Sequence, residues 1–163
     1  MQYTRRIMIA GFALSLAACG SSNLLVLEPV KSPVKSDSID LVYENSTVGV
    51  PEEAVAQTKK FMQERFFTGK APAFKPGAGG VTVRYGYIGF KKGSRFGRYM
   101  LGGLGNTDAN MVLRADFFDA SGAKIASTQS TGKIGGGFLG GSASSAIKKA
   151  VNEIGTYAEA NFR

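Results

Sequence analysis

Ile39, Leu41 and Tyr43 alternate with Asp40, Val42 and Glu44, and this period of two predicts a half-buried strand. From Pro51 the period lengthens. Val55, Thr58, Met62 and Phe66 fall three or four apart, with Ala54, Phe61 and Arg65 beside them, as on one face of a helix over about 51–68. Pro51 suits a first helical residue, Glu52 and Glu53 suit the positive first turn, and Gly69 suits a C-cap. Period two returns over 81–90, where Val81, Val83, Tyr85 and Tyr87 share one face and Thr82, Arg84 and Ile88 the other.

A further strand over about 108–118 puts Met111, Leu113, Ala115 and Phe117 on one face. Asp119-Ala120-Ser121-Gly122 reads as a hairpin turn, with the glycine at the position that needs a positive φ. The return strand, about 123–132, alternates polar residues and predicts one solvated face. Ser142 or Ser144 then caps a helix to about Asn161, with Ala143, Ile147, Ala150, Val151, Ile154 and Tyr157 as its apolar stripe. The order β-α-β-β-β-α predicts an α+β fold: a mostly antiparallel sheet of about four strands with two helices packed on one face.

The N-terminus follows different rules. Residues 1–19 read MQYTRRIMIAGFALSLAAC, with Arg5 and Arg6 before a ten-residue apolar stretch from Ile7 to Leu16. That stretch is about half of the ~20 residues a membrane-spanning helix needs, so it reads as a secretory signal. Leu16-Ala17-Ala18-Cys19 resembles the lipobox of bacterial lipoproteins. The resemblance implies diacylglycerol on the Cys19 sulfur, cleavage before Cys19 and acylation of the new amino terminus. Several acyl chains anchor firmly where one is marginal, since each buried CH₂ contributes ~0.8 kcal/mol. Gly20 and Ser21 lack the aspartate that retains enterobacterial lipoproteins in the inner membrane, so the resemblance implies the outer membrane, on its periplasmic side.

Three segments are therefore expected: residues 1–18 as signal peptide, 19–37 as lipidated cysteine and tether, and 38–163 as one domain. Pro29 and Pro33 interrupt the tether, although Leu24 to Val30 could make a short edge strand.

Composition narrows the chemistry. The 163 residues include no histidine, no tryptophan, one cysteine and 22 glycines. Without histidine the commonest general base and metal ligand are missing, and one cysteine forms neither an intrachain disulfide nor a multi-cysteine metal site. We expect no enzyme, no catalytic set, no metal and no cofactor beyond the covalent lipid. A carboxylate pair could run glycoside chemistry, but nothing in the sequence places two acids at a working distance.

Charge points elsewhere. The formal net charge is +8, falling to +6 once Arg5 and Arg6 leave with the signal peptide. No acidic residue stands between Glu64 and Asp108, and GFKKGSRFGRYM at 89–100 mixes Lys91, Lys92, Arg95 and Arg98 with Phe90, Phe96 and Tyr99. With Arg84 these four are the candidate contacts for an anionic surface. Such a stretch would also suit nucleic acid, but an envelope location removes that partner. A solvated basic hairpin is the plain alternative. GGGFLGG at 135–141 precedes a helix, but Gly141-Ser142-Ala143 stands where a nucleotide-binding loop ends Gly-Lys-Ser/Thr, so it reads as a connection.

The second half carries one resemblance. Gly97-Arg98-Tyr99-Met100-Leu101-Gly102-Gly103-Leu104-Gly105, the strand 110–118, the turn Asp119 to Ile125, a glycine-rich loop and an alanine-rich helix are similar to the bacterial domain-of-unknown-function 4410 family. Ala123 intervenes before Lys124, a departure from that family's turn. The resemblance implies a lipoprotein of α+β fold and transfers no activity.

These readings converge on an outer-membrane lipoprotein, a binding or accessory subunit of an envelope assembly. Its expected partners are the membrane, through the lipid anchor, and an envelope protein or anionic lipid, with the oligomeric state left open. A carrier of lipid or another hydrophobic molecule, and a structural subunit that self-assembles through an exposed strand edge, are the alternatives.

Overall fold

A helix that links two neighbouring strands returns the chain to the sheet in its original direction. Strand, helix and strand between Ser38 and Phe90 do this in the computed structural model, which describes residues 23–69, 72–90, 109–133 and 143–163. The elements are β1 (Asn23–Glu28), β2 (Ser38–Tyr43), α1 (Glu52–Phe67), β3 (Lys75–Pro76), β4 (Val81–Phe90), β5 (Ala109–Phe118), β6 (Lys124–Lys133) and α2 (Ala143–Phe162). β2 and β4 are parallel neighbours, in register from Ile39 opposite Val81 to Tyr43 opposite Tyr85.

The sheet therefore differs from the expected four-stranded, mostly antiparallel one. Among the described residues it has six strands in the order β1-β6-β5-β4-β2-β3, and it is mixed. Three features account for the difference. The α1 crossover makes the β2–β4 pair parallel, and β3 adds a second parallel pair by donating Lys75 N–H to Asp37 O (2.8 Å) and Gly77 N–H to Ile39 O (3.1 Å). β1 adds the opposite edge, antiparallel to β6. The class remains α+β.

The alternation read from the sequence sets the faces. Val81, Val83, Tyr85 and Tyr87 of β4 and Met111, Leu113, Ala115 and Phe117 of β5 are buried on the face that meets the helices. α2 packs over β6, β5 and β1, while α1 packs over β2 and β3 and against α2. Of α1, Ala54, Thr58, Met62 and Phe66 are buried. Pro51 lies just before α1, its carbonyl accepting from Ala54 N–H (3.0 Å) and Val55 N–H (3.2 Å). The α2 backbone approaches β6 at Gly132, where a Cβ would stand 2.9 Å from the Ala146 carbonyl oxygen. Phe162, at the end of α2, stacks obliquely on Phe117 with ring centroids 5.0 Å apart.

β6 buries polar residues on the face that meets the helices: Thr128 and Ser130 are fully buried there, and Ser127 is buried on the other face beside Asp116, where Gln129 and Thr131 keep partial exposure. Each hydroxyl has a partner, as burial requires. Ser127 donates to Asp116 Oδ1 (2.5 Å), Thr128 to the Ala115 carbonyl (3.4 Å) and Ser130 to Glu153 Oε2 on α2 (2.8 Å).

β1 lies inside the stretch read as a tether, yet it belongs to the sheet. Asn23 stands opposite Thr131 and Val26 opposite Thr128. At the end of β1, Glu28 is paired with both Lys31 and Lys124, and Lys31 N–H donates to Ile125 O at 3.0 Å. The chain then crosses the end of α2, where Ser36 N–H donates to Phe162 O at 2.7 Å.

Candidate functional site

Of the six residues singled out in the sequence, only Arg84 is described. Cys19, Lys91, Lys92, Arg95 and Arg98 lie outside the described residues. Arg84 projects from β4 on the face of the sheet opposite the helices, in register with Val42 on β2 and Asp116 on β5. Its Nη1 lies 3.7 Å from Glu44 Oε1, and its guanidinium sits 4.6 Å over the Phe118 ring. Both contacts are with elements distant in sequence, so the alternation placed the side chain on its face without revealing its partners. Arg114 on the same face is paired with Asp116 at 3.0 Å. This part of the sheet surface is thus a set of matched charges.

The sheet edges are different in character. Among the described residues, four large apolar side chains are strongly exposed: Leu25 (51%), Val26 (42%), Leu27 (40%) and Val42 (37%). Three stand on β1 and the fourth on β2, the strands at or next to the two ends of the sheet. β3 covers β2 only at Ser38 and Ile39. Main-chain groups alternate sides along a strand. Asp37 and Ile39 point theirs at β3, and Glu44 N–H donates back to Tyr85 O, so Leu41 and Tyr43 present their main chain beyond the reach of β3.

Beside this end of β2, on the helix side, is an open cleft of about 610 Å³. Tyr43, Val48, Val50, Val55 and Ala56 give it apolar walls, with Glu52 and Lys59 at its lining too. Lys59 Nζ lies 4.9 Å over the Tyr43 ring, whose hydroxyl is 2.7 Å from Ser46 Oγ. No sequence motif marks this cleft, because its lining comes from the β2 end, the following loop and the first turns of α1. Among the described residues no group of three acidic or cysteine side chains could hold a metal ion, and no helix is long and apolar enough to cross a membrane.

Tyr85, against the Tyr43 ring, and Tyr87, against the Thr58 hydroxyl, hold their phenolic protons to about pH 12 because burial disfavours the charged form. Neither is set up as a base.

No protein-family model matches the chain, and no curated protein matches it in sequence. Solved structures do match in fold. The PelC dodecamer from Paraburkholderia phytofirmans superposes with a TM-score of 0.51 at 12% identity, covering 88% of this chain and 99% of that one. A point variant of the same dodecamer matches with a TM-score of 0.50 over the same shares. At this identity the likeness is one of fold, and it spans nearly the whole of the PelC chain.

Proposed function

We propose that this chain is a lipid-anchored subunit of the bacterial outer membrane, held through Cys19 on the periplasmic side, whose α+β domain assembles with further copies of itself. The observation that carries the self-assembly is the fold likeness to a protein described as a dodecamer, extending over 99% of that protein's chain. The sheet edges support it as well, since exposed apolar edge strands invite pairing with another chain. The anchor is supported by the leader and by the position of the chain's one cysteine at the lipobox. Binding, as a part of an envelope assembly, is then the work of the domain.

The anchor is tested by growing cells with labelled fatty acid. The wild-type chain should take up label, and Cys19→Ala should take up none and accumulate as precursor. Label in the variant would refute the anchor.

A further inference from the structure

We propose that copies of this chain join head to tail through the two edges of the sheet, with β1 of one copy lying antiparallel against the open side of β2 of the next. The proposal rests on the self-assembly put forward above and adds its surfaces.

Strand directions come first. β1 is antiparallel to β6, β6 to β5 and β5 to β4, while β4 is parallel to β2. β1 and β2 therefore run in opposite directions at the two ends of one sheet. If the sheet repeats from copy to copy with its helices always on the same side, β1 meets the neighbour's β2 antiparallel. Repeating that contact by rotation closes a ring.

Side chains agree with this join. Leu25 aligns across the sheet with Gln129 and Arg114, and Val42 with Arg84, so Leu25 and Val42 both stand on the helix-free face. Val26 aligns with Thr128 and the buried Ala115, which puts it on the helix side. That is the side on which the cleft beside β2 lies, with Tyr43 and Val55 among its lining. One join thus brings Leu25 toward Val42 and Val26 toward the apolar wall of the cleft at Tyr43 and Val55.

Edge strands are normally blunted by charge or proline. Asn23 to Leu27 carries neither before Glu28 ends β1, and at the other edge Lys75 and Pro76 of β3 blunt only the stretch beside Ser38 and Ile39, leaving the side of β2 at Leu41 and Tyr43 open. A two-fold pairing of β1 with β1 would leave the β2 edge and cleft uncovered, and a pairing of β2 with β2 would leave β1 uncovered. The head-to-tail join covers both.

The test uses engineered cysteines in the full-length chain in its own membrane, where acylation consumes the Cys19 thiol and the unsubstituted chain serves as control. Leu25→Cys, Val42→Cys and the double variant are treated with a short bismaleimide, whose span tolerates a register step between facing strands. The expected result is a ladder of covalent multimers from the double variant and no covalent dimer from either single variant. Dimers from a single variant would overturn the head-to-tail join while leaving self-assembly standing. No product from any variant, with the detergent-extracted chain still multimeric, would overturn the edge join alone. No product with a monomeric extracted chain would overturn the assembly as well. As a second variant, Leu25→Lys with Leu27→Lys should reduce the multimer at least tenfold without altering the far-UV circular dichroism. Unchanged multimer in that variant would count against the join.

Discussion

The Tyr87 hydroxyl on β4 and the Thr58 hydroxyl on α1 lie 2.5 Å apart inside the core, tying the helix that makes the parallel crossover to the strand it leads into. Thr58 gives its own proton to the Ala54 carbonyl at 2.8 Å. The proton between the two hydroxyls therefore comes from Tyr87. Burial raises Tyr87 to about 12. A folded value above the ordinary 10 means that its contribution to stability is complete below pH 10 and is lost as the pH rises through 12.

Donor and acceptor roles make the two deletions unequal. Tyr87→Phe removes a donor and leaves the Thr58 hydroxyl satisfied, for a loss of about 1 kcal/mol. Thr58→Val takes away the phenol's near acceptor, leaving the Ala54 carbonyl at 3.5 Å, and should cost more, about 2–3 kcal/mol. Urea unfolding midpoints of the two variants check the order. Equal losses would contradict the assigned proton direction.

Much of this arrangement was legible in the sequence, and the remainder was not for identifiable reasons. Period two marked β2, β4 and β5, and the spacing of Thr58, Met62 and Phe66 marked α1, because one buried face imposes those periods. Sheet order is a different kind of information. Nothing local to Ile39 or Val81 says that they face each other, and two residues, Lys75 and Pro76, are too short a strand to carry a period. The helix-side face of β6 carries no apolar signal, because Thr128 and Ser130 are polar, yet partners from β5 and α2 let them be buried. The candidate site divides in the same way. Arg84 was placed on its face by alternation, while Glu44 and Phe118, which hold it, arrive from β2's end and β5.

β1 should loosen in acid. Glu28 is held at about 2, below its ordinary 4.5, first by the hydrogen bond from Lys124 and then by that from Lys31. Because the folded value is depressed, the stabilisation is complete above pH 4.5 and is lost as the pH falls through 2. Amide exchange of β1, corrected for the intrinsic rate, should speed up across that window in wild type, and Glu28→Gln should flatten the response. An identical pH response in the variant would sever the link between this carboxylate and β1.

Gly132 sets the distance between α2 and β6. A methyl group there would stand 2.9 Å from the Ala146 carbonyl and 3.0 Å from Met111 Cγ. Met111 can yield, but the backbone of α2 cannot without tilting the helix. Gly132→Ala should destabilise the domain by about 1–3 kcal/mol, read from its thermal midpoint. Gly122, with φ at +82° and open space around it, offers the contrast: there alanine is strained by its backbone alone.

Self-assembly is the central claim, and the mass of the particle tests it most directly. The full-length chain would be extracted from membranes in mild detergent and its protein mass measured by analytical ultracentrifugation over a wide range of concentration. The account predicts a discrete multimer of the 17.2 kDa chain, less its leader, that Leu25→Lys with Leu27→Lys dissociates. A monomer at every concentration would contradict it.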